Sequence, residues 1–384
     1  MQRVHLQGGF GEKGRTSIGI DDGDTFLMFD AGIKVGGTKE AYHPRLARPA
    51  DEIHAILITH AHEDHIGALN WLVGQGFRGQ IYMTPSTMGE MQAVLAEYAM
   101  SVDLAAYPIT DDRVELFESG EALEIGAHKI MTGHSGHVSG GVWFSIDSGG
   151  HRTTYCGDIQ PDSNVFPFSP MPKSSLLLLD CSYGDDTALP TTRANRISTW
   201  VNDHSKGCVL PTPLSGRSLE LLNLFDGDFA IAAGMETPLR AQLDDLSLLQ
   251  SGIAERLLPR LSNARVWQPG TTLPDCPLLV HDGMGTAGPA VQALAQAETI
   301  RHPVLLTGHL PEHSPGQRLQ QEGLADWLRF PTHPSLQQNI AVWEQTGRPK
   351  LLGHSCNGEA LEQLKPSLPS LDVMVRTGGT ISND

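Results

Sequence analysis

The chain has 384 residues, of which 40% are hydrophobic and 18% are charged, which excludes a disordered chain and predicts two packed domains. Its 44 acidic and 27 basic residues give a net charge of −17, which argues against broad nucleic-acid binding but allows a local basic channel. No run of about 18 apolar residues and no signal-peptide core is visible, so we predict no association with a membrane.

The cysteines are scattered singly along the chain. There are five of them, Cys156, Cys181, Cys208, Cys276 and Cys356. Because their number is odd and none lies in a CxxC pair, we do not expect a disulfide framework. This pattern predicts a cytoplasmic protein. The sequence leaves the oligomeric state open, with a homodimer as one alternative.

The first part of the chain alternates signals for strands and helices. Apolar or alternating runs predict strands at 17–20, 26–29 and 53–58. A helix is predicted at 84–100, with Ser86 as its candidate N-terminal cap. A further apolar strand is predicted at 176–180. This alternation is typical of a layered α/β fold.

The pattern changes near residue 184 and returns to its first form in the last part of the chain. Predicted helices, among them one at 239–258, and short strands between them indicate a second α/β unit. We therefore predict one domain formed by 1–184 and 329–384, with a second domain, 185–328, inserted into it.

A cluster of potential metal ligands follows the strand predicted at 53–58. It consists of His60, His62, Asp64 and His65. His60 and His62 are two residues apart, so an extended backbone points both side chains the same way, whereas Asp64 and His65 can face a second ion. Nitrogen and carboxylate ligands suit zinc, manganese or iron. A solvated loop is the alternative, which four such residues in this order disfavour.

Two further candidate ligands come from the same part of the chain. His137 lies in a glycine-lined turn before a predicted strand, and Asp158 follows the end of another. An aspartate at a strand end has both carboxylate oxygens available to two cations, so Asp158 is a candidate bridging ligand. Either residue alone would be more typical of a turn, but beside the cluster both become candidate ligands.

Several motifs carry a resemblance to a known family. HAHEDH at 60–65 closely resembles the HxHxDH signature of the metallo-β-lactamase superfamily, and the DAG, GHVSG and CGD segments fall where that family has its other elements. LLLDCSYG at 177–184 resembles a motif of the β-CASP nucleases, which include ribonuclease J and the pre-mRNA 3′-end-processing endonuclease. PTPLSGR at 211–217, DGMGTAGPA at 282–290 and TGHLPEHSPGQRL at 307–319 resemble other motifs of that subfamily.

The resemblance implies an α/β fold, a metallo-β-lactamase αββα sandwich with an inserted β-CASP cap domain. It also implies that one ion is held by His60, His62 and His137, and the other by Asp64, His65 and a late histidine, with Asp158 bridging. His333 fits the late ligand, and His354 then lines the site. The reverse assignment of these two histidines stays open.

The implied chemistry is hydrolysis of a phosphodiester by water that two divalent ions, zinc or manganese, activate. Asp64 would orient that water, and Asp180 would position a proton donor or only cap the following turn. Ser314 and Arg318 are candidate phosphate contacts at the start of a helix. The general acid stays open among His309, His313, His354 and water.

We therefore predict a metal-dependent nuclease that acts on RNA or single-stranded DNA. The cap motifs favour this function over a small-molecule ester, thioester or lactone hydrolase, which is the second alternative. A non-catalytic β-CASP scaffold subunit is the third, and the intact ligand set speaks against it. The sequence does not distinguish RNA from DNA, or exonuclease from endonuclease action.

Overall fold

A computed structural model describes residues 2–383, which form two compact units. The first unit contains the described residues up to 161 together with 168–187 and those from 333 onward, and the second contains 162–167 and 188–332. The predicted domain boundaries after 184 and 328 lie near two of the boundaries between these units, after 187 and after 332. The short segment 162–167 was not predicted to belong to the second unit. None of the helices between residues 2 and 383 is long and apolar enough to cross a bilayer.

Short strands and helices alternate along the first unit. Its strands before the second unit are β1 (Gln2–Gly8), β2 (Phe10–Gly11), β3 (Ser17–Asp21), β4 (Phe26–Phe29), β5 (Ala55–Leu57), β6 (Gln80–Met83), β7 (Val114–Leu116), β8 (Ala122–Ile125), β9 (His128–His134), β10 (Val142–Ser148), β11 (His151–Tyr155) and β12 (Leu176–Asp180). The helices among them are α1 (Lys39–Tyr42), α2 (Glu63–Ile66), α3 (Leu69–Gly74), α4 (Pro85–Tyr98) and α5 (Ser101–Ala106).

The second unit and the closing segment supply the remaining elements. The second unit contains α6 (Pro190–Asp203), β13 (Cys208–Pro211), α7 (Arg217–Leu222), β14 (Ala230–Ala232), α8 (Glu236–Asp244), α9 (Ile253–Ser262), β15 (Arg265–Trp267), β16 (Pro277–Val280), α10 (Gly288–Ile300), β17 (Leu305–Leu306), α11 (Pro315–Gln321) and β18 (Asp326–Trp327). The closing segment adds α12 (Leu336–Gln345), β19 (Lys350–His354), β20 (Cys356–Asn357), α13 (Gly358–Leu364) and β21 (Thr380–Asn383).

Two sheets of the first unit enclose one core. Their strand orders are β21-β1-β3-β4-β5-β6-β7 and β19-β12-β11-β10-β9-β8. In β4, Leu27 and Phe29 join the core that also contains Leu177 of the second sheet, whereas Phe26 and Met28 pack with α3 and α4. Side chains alternate across a strand, so both faces of this sheet are covered. Leu361 of α13 belongs to the shared core, and the layers form the predicted αββα sandwich.

The second unit has its own parallel sheet and its own core. The strand order is β13-β16-β14-β15, and every neighbouring pair is parallel. Leu210 of β13, Leu279 of β16 and Ala293 of α10 are fully buried in a core that is separate from that of the first unit. A separate core is what an inserted domain needs in order to fold as a unit. Its identity as a β-CASP cap domain stays a prediction.

Two local predictions were wrong. The helix predicted at 84–100 is capped by Thr84, whose side chain accepts a hydrogen bond from the Thr87 amide, whereas the hydroxyl of Ser86 donates to the Ser139 carbonyl. Pro85 fixes this start, because proline is favoured at the first helical position. The helix predicted at 239–258 is divided into α8 and α9, and Gly252 before α9 has a positive φ of 82°.

Candidate metal centre

The ends of strands in both sheets of the first unit deliver the candidate ligands. His60 and His62 follow β5, and Asp64 and His65 lie in α2 directly after them. His137 follows β9, Asp158 follows β11, and Asp180 is the last residue of β12. The Val142 amide at the start of β10 donates to the Thr59 carbonyl at 2.9 Å, which joins the two sheets at this edge.

Three imidazoles converge on one point. Nε2 of His60 lies 3.1 Å from Nδ1 of His62, and Nε2 of His137 lies 3.3 Å from the same Nδ1. Oδ2 of Asp158 lies 3.9 Å from Nε2 of His60 and 3.8 Å from Nε2 of His137. Ligand atoms about 2.1 Å from one tetrahedral ion are separated by about 3.4 Å, so these four groups fit a single cation.

A second group of ligand atoms shares Asp158. Nε2 of His65 lies 3.4 Å from Oδ1 of Asp158 and 3.9 Å from Oδ1 of Asp64. Nε2 of His65 and Oδ1 of Asp158 are buried, and neither makes a hydrogen bond of good geometry with any residue that the structure describes. Buried polar atoms are rarely left without a partner, so this pair fits a second cation between them.

A third group connects Asp158 with the end of β12. Nδ1 of His333 lies 2.9 Å from Oδ2 of Asp180 and 3.8 Å from Oδ2 of Asp158. In all three groups the ligand atoms lie within 4.8 Å of one another, and Asp158 is the one residue that belongs to all three. The structure therefore brings together His60, His62, Asp64, His65, His137, Asp158, Asp180 and His333.

His354 lies beside this cluster but outside the three groups. It is the last residue of β19, pairs in register with Asp180 of β12, and is fully buried. Its Nδ1 lies 2.9 Å from the Ser355 hydroxyl, and its Nε2 lies 3.7 Å from the sulfur of Cys156. Burial lowers the pKa of His354, so its imidazole is held in the neutral form.

The buried charges of the cluster divide the histidines into two kinds. Burial lowers the pKa of His60 well below its ordinary value, and the neighbouring histidines add to this shift. Burial also opposes protonation of His65, but Asp158, Asp30 and Asp64 outweigh it and raise the pKa of His65 well above its ordinary value. In return, His65 and His333 lower the pKa of Asp158 well below its ordinary value, against burial. A cation at this point would replace the proton that His65 carries.

Asp30 supports the cluster in a way that the sequence did not predict. Its carboxylate accepts hydrogen bonds from Nδ1 of His65 at 2.7 Å, from the Tyr155 hydroxyl at 2.6 Å and from the Thr59 amide at 2.8 Å. The bond from His65 fixes the tautomer that directs Nε2 toward Asp158. In the sequence, the DAG motif after a strand is the signal that marks this residue. In the structure, Asp30 is marked by its positive φ of 56°.

The candidate phosphate contacts Ser314 and Arg318 belong to the second unit. Ser314 is buried and caps α11 by accepting a hydrogen bond from the Gln317 amide at 3.2 Å. Arg318 is paired with both carboxylate oxygens of Glu298, at 2.8 and 2.7 Å, and with Glu322 at 2.8 Å. A phosphate would therefore have to compete with two carboxylates for this guanidinium group.

Comparisons with known proteins agree with this site. Residues 11–203, half of the chain, match the metallo-beta-lactamase superfamily. The chain is 29% identical over 247 residues to the transcription termination factor FttA of Cenarchaeum symbiosum, a match that covers 57% of this chain and 38% of that protein. It is 30% identical over 166 residues to the ribonuclease TTHA0252 of Thermus thermophilus, which covers 41% of this chain and 38% of that protein.

A solved structure shares the fold over the full chain. It is a protein of unknown function from Enterococcus faecalis V583, with a TM-score of 0.62 and 14% sequence identity, and the match covers 99% of both chains. The chain spans well under half the length of either relative named above, 38% in each case.

Two observations assign the chain to a family. They are the match over half of the sequence and the His/Asp cluster, which suits divalent metal ions. The chain belongs to the metallo-β-lactamase superfamily, as its HAHEDH motif predicted.

Proposed function

We propose that the protein is a metal-dependent nuclease that hydrolyses phosphodiester bonds of RNA. The observation that carries this proposal is the position of Asp158, whose carboxylate is shared by all three groups of ligand atoms. A carboxylate that is shared between two neighbouring groups of ligands is the arrangement that a two-metal hydrolase requires. The name of the relative from Thermus thermophilus, a ribonuclease, supports RNA over DNA.

The donor set supports zinc as the metal. His60, His62 and His137 would hold one ion, and Asp64 and His65 the other, with Asp158 between them. Imidazole nitrogens and carboxylate oxygens suit zinc, and manganese accepts the same donors. Two bound divalent ions would supply a water molecule of lowered pKa and a positive charge on the phosphate oxygens.

His333 is better placed to donate a proton than to bind a metal. Its Nδ1 hydrogen-bonds Asp180 at 2.9 Å, and this same nitrogen is the one that lies 3.8 Å from Asp158. A nitrogen that shares a proton with a carboxylate does not bind a cation at the same time. The hydrogen bond to Asp180 orients the ring of His333, which suits a group that delivers a proton to the leaving oxygen.

The remaining ligand position then falls to His354. Its imidazole is neutral and fully buried, as a metal ligand requires, and it lies beside Asp180 at the end of the neighbouring strand. This exchanges the roles that the sequence favoured for His333 and His354, and it is the alternative that the sequence left open. Asp180 then positions His333, and Asp64 orients the water.

The test uses the purified chain with zinc or manganese and labelled single-stranded RNA and DNA. We expect bound metal and cleavage of RNA, and we expect the double variant His60→Ala and His62→Ala to lose both. Cleavage of neither polymer by the metal-loaded protein would refute the proposal, and hydrolysis of ester or lactone substrates alone would support the small-molecule alternative. Metal binding with no hydrolysis of any kind would support a scaffold.

We also propose a cytoplasmic location, because all five cysteines are free and buried. An association of two copies into a homodimer stays a prediction, and sedimentation of the purified chain tests it.

A further inference from the structure

The loop between β2 and β3 carries positive charge beside the metal centre. It contains Glu12, Lys13 and Arg15, and its end is fixed to the centre because the Thr16 amide donates to the Asp64 carbonyl at 2.8 Å. The Arg15 amide donates to the Ile33 carbonyl, also at 2.8 Å. The backbone of this loop therefore lies directly against the segment that carries the ligands.

The single acidic residue of this loop, Glu12, is paired with residues other than Lys13. Glu12 forms ion pairs with Arg15 at 2.8 Å and with Lys34 at 3.0 Å, and its Oε1 also accepts a hydrogen bond from the Thr377 hydroxyl at 2.7 Å. One carboxylate thus serves two cations. Together with Lys13 the cluster has three positive charges and one negative charge, in a chain whose net charge is −17.

Lys13 is the member of this cluster that has no partner. Its side chain is half-buried, and it makes no hydrogen bond or ion pair with any residue between 2 and 383. Lys13 is nevertheless held close to the metal centre by its own loop. Thr16, three residues further along, is bonded to the backbone of Asp64, so Lys13 lies on a segment that is fixed against the candidate ligands.

We propose that Lys13 binds a phosphate group of the RNA strand next to the bond that is cleaved. This inference rests on the proposed function, because it assumes a polyanionic substrate at the same site. An ammonium group beside an active site is a point charge for phosphate oxygens and does not require a planar partner. A negatively charged chain repels RNA at long range, so a local cation at the site is needed to hold the strand.

The experiment measures binding of single-stranded RNA by the whole protein after treatment with a chelator, at several salt concentrations. The variants are Lys13→Met, Lys13→Arg and, as a control, Lys129→Met at an exposed lysine of the same unit. We expect Lys13→Met to weaken binding about tenfold and to lower the slope of log affinity against log salt by about 0.7. Lys13→Arg and Lys129→Met should keep the wild-type slope.

Zinc content and RNA cleavage by the metal-loaded variants complete the test. Lys13→Met should bind as much zinc as the wild type, because Lys13 is not a ligand, and should raise KM more than it lowers kcat. Wild-type affinity and slope in Lys13→Met would overturn the inference, as would a loss of binding in Lys13→Arg that equals that of Lys13→Met. If the wild type binds RNA through Lys13 but does not cleave it, the proposed function fails, and the contact of Lys13 with a phosphate group is the part of the inference that remains.

Discussion

Asp30 accepts a hydrogen bond from Nδ1 of His65 at 2.7 Å, and neither side chain is exposed to solvent. The bond leaves Nε2 of His65 as the atom that faces Asp158. We predict that Asp30→Asn lowers the affinity for zinc by about 10- to 100-fold, because the amide no longer fixes this tautomer or supports the basicity of the ring. Zinc titration against a competing chelator measures the change.

Asp147→Asn is the matched control for Asp30→Asn. Asp147 lies in the same unit and is paired with Arg152 at 3.3 Å, outside the three groups of ligand atoms. Its substitution should leave the zinc affinity unchanged. Equal zinc affinity in Asp30→Asn and the wild type would show that the carboxylate does not support the centre.

The pair of Asp180 and His333 gives a prediction that separates proton transfer from metal binding. We expect Asp180→Asn to lower kcat by about 100-fold or more while two zinc ions stay bound, because the amide replaces the carboxylate that orients the ring of His333. His354→Gln should instead lose zinc. Metal analysis and single-turnover cleavage of RNA measure the two effects separately.

The opposite result would restore the assignment that the sequence favoured. In that case His333→Gln loses zinc, and His354→Gln keeps zinc and loses only turnover. A pH profile adds a second readout, because the loss of a proton donor removes the limb of the profile that depends on the protonated form.

The parts of the centre that the sequence predicted are those that lie close together along the chain. His60, His62, Asp64 and His65 follow one strand within six residues, so their spacing alone points to a metal site. Asp30 and His65 are 35 residues apart, and Asp180 and His333 are 153 apart. Contacts between residues so far apart cannot be predicted from their spacing along the chain, because they form only when the sheets pack. For this reason the sequence left the late histidine open and did not identify Asp30 as a support.

The same distinction between local patterns and long-range contacts explains which parts of the fold could be predicted from the sequence. The alternation of strands and helices predicted a layered α/β fold, because each element carries its own periodicity. The αββα sandwich was implied by the resemblance to the metallo-β-lactamase superfamily. The segment 162–167 was not predicted to join the second unit, since its contacts there are distant in sequence. Its Ser163 hydroxyl donates to Oε1 of Glu220 at 2.5 Å, 57 residues away.

Glu220 gives a prediction about the pH dependence of stability. Burial raises its pKa to about 7, against hydrogen bonds from Ser163 and the amides of Val165 and Asn164. In the unfolded chain the group ionises near pH 4.5, so its contribution to stability is present below that pH and is lost as the pH rises through 7. The loss amounts to about 3 kcal/mol, at 1.36 kcal/mol per pKa unit.

Hydrogen exchange of the amides of α7 measures this loss within the second unit. We expect the opening free energy of the wild type to fall between pH 4.5 and 8, and that of Glu220→Gln to fall much less. Glu255→Gln, at an exposed position of α9, is the control and should follow the wild type. Parallel pH profiles for the wild type and Glu220→Gln would contradict the assignment.

Gly32 allows α2 to approach the strand end that carries Asp30. A Cβ atom at position 32 would lie 1.6 Å from the carbonyl oxygen of Asp64 and 2.9 Å from the amide nitrogen of His65, so Gly32→Ala must displace the backbone of both. We predict a loss of zinc affinity together with destabilisation by about 1–3 kcal/mol, the range typical of overpacking.

Gly89→Ala is the control, because a Cβ there meets nothing within 4 Å and position 89 lies inside α4. This second substitution should stabilise the protein by about 0.5–1 kcal/mol and leave the zinc affinity unchanged, since alanine is favoured over glycine in a helix. Thermal unfolding and zinc titration of both variants measure these changes. Wild-type zinc affinity in Gly32→Ala would mean that the close approach of α2 is not needed to place Asp64 and His65.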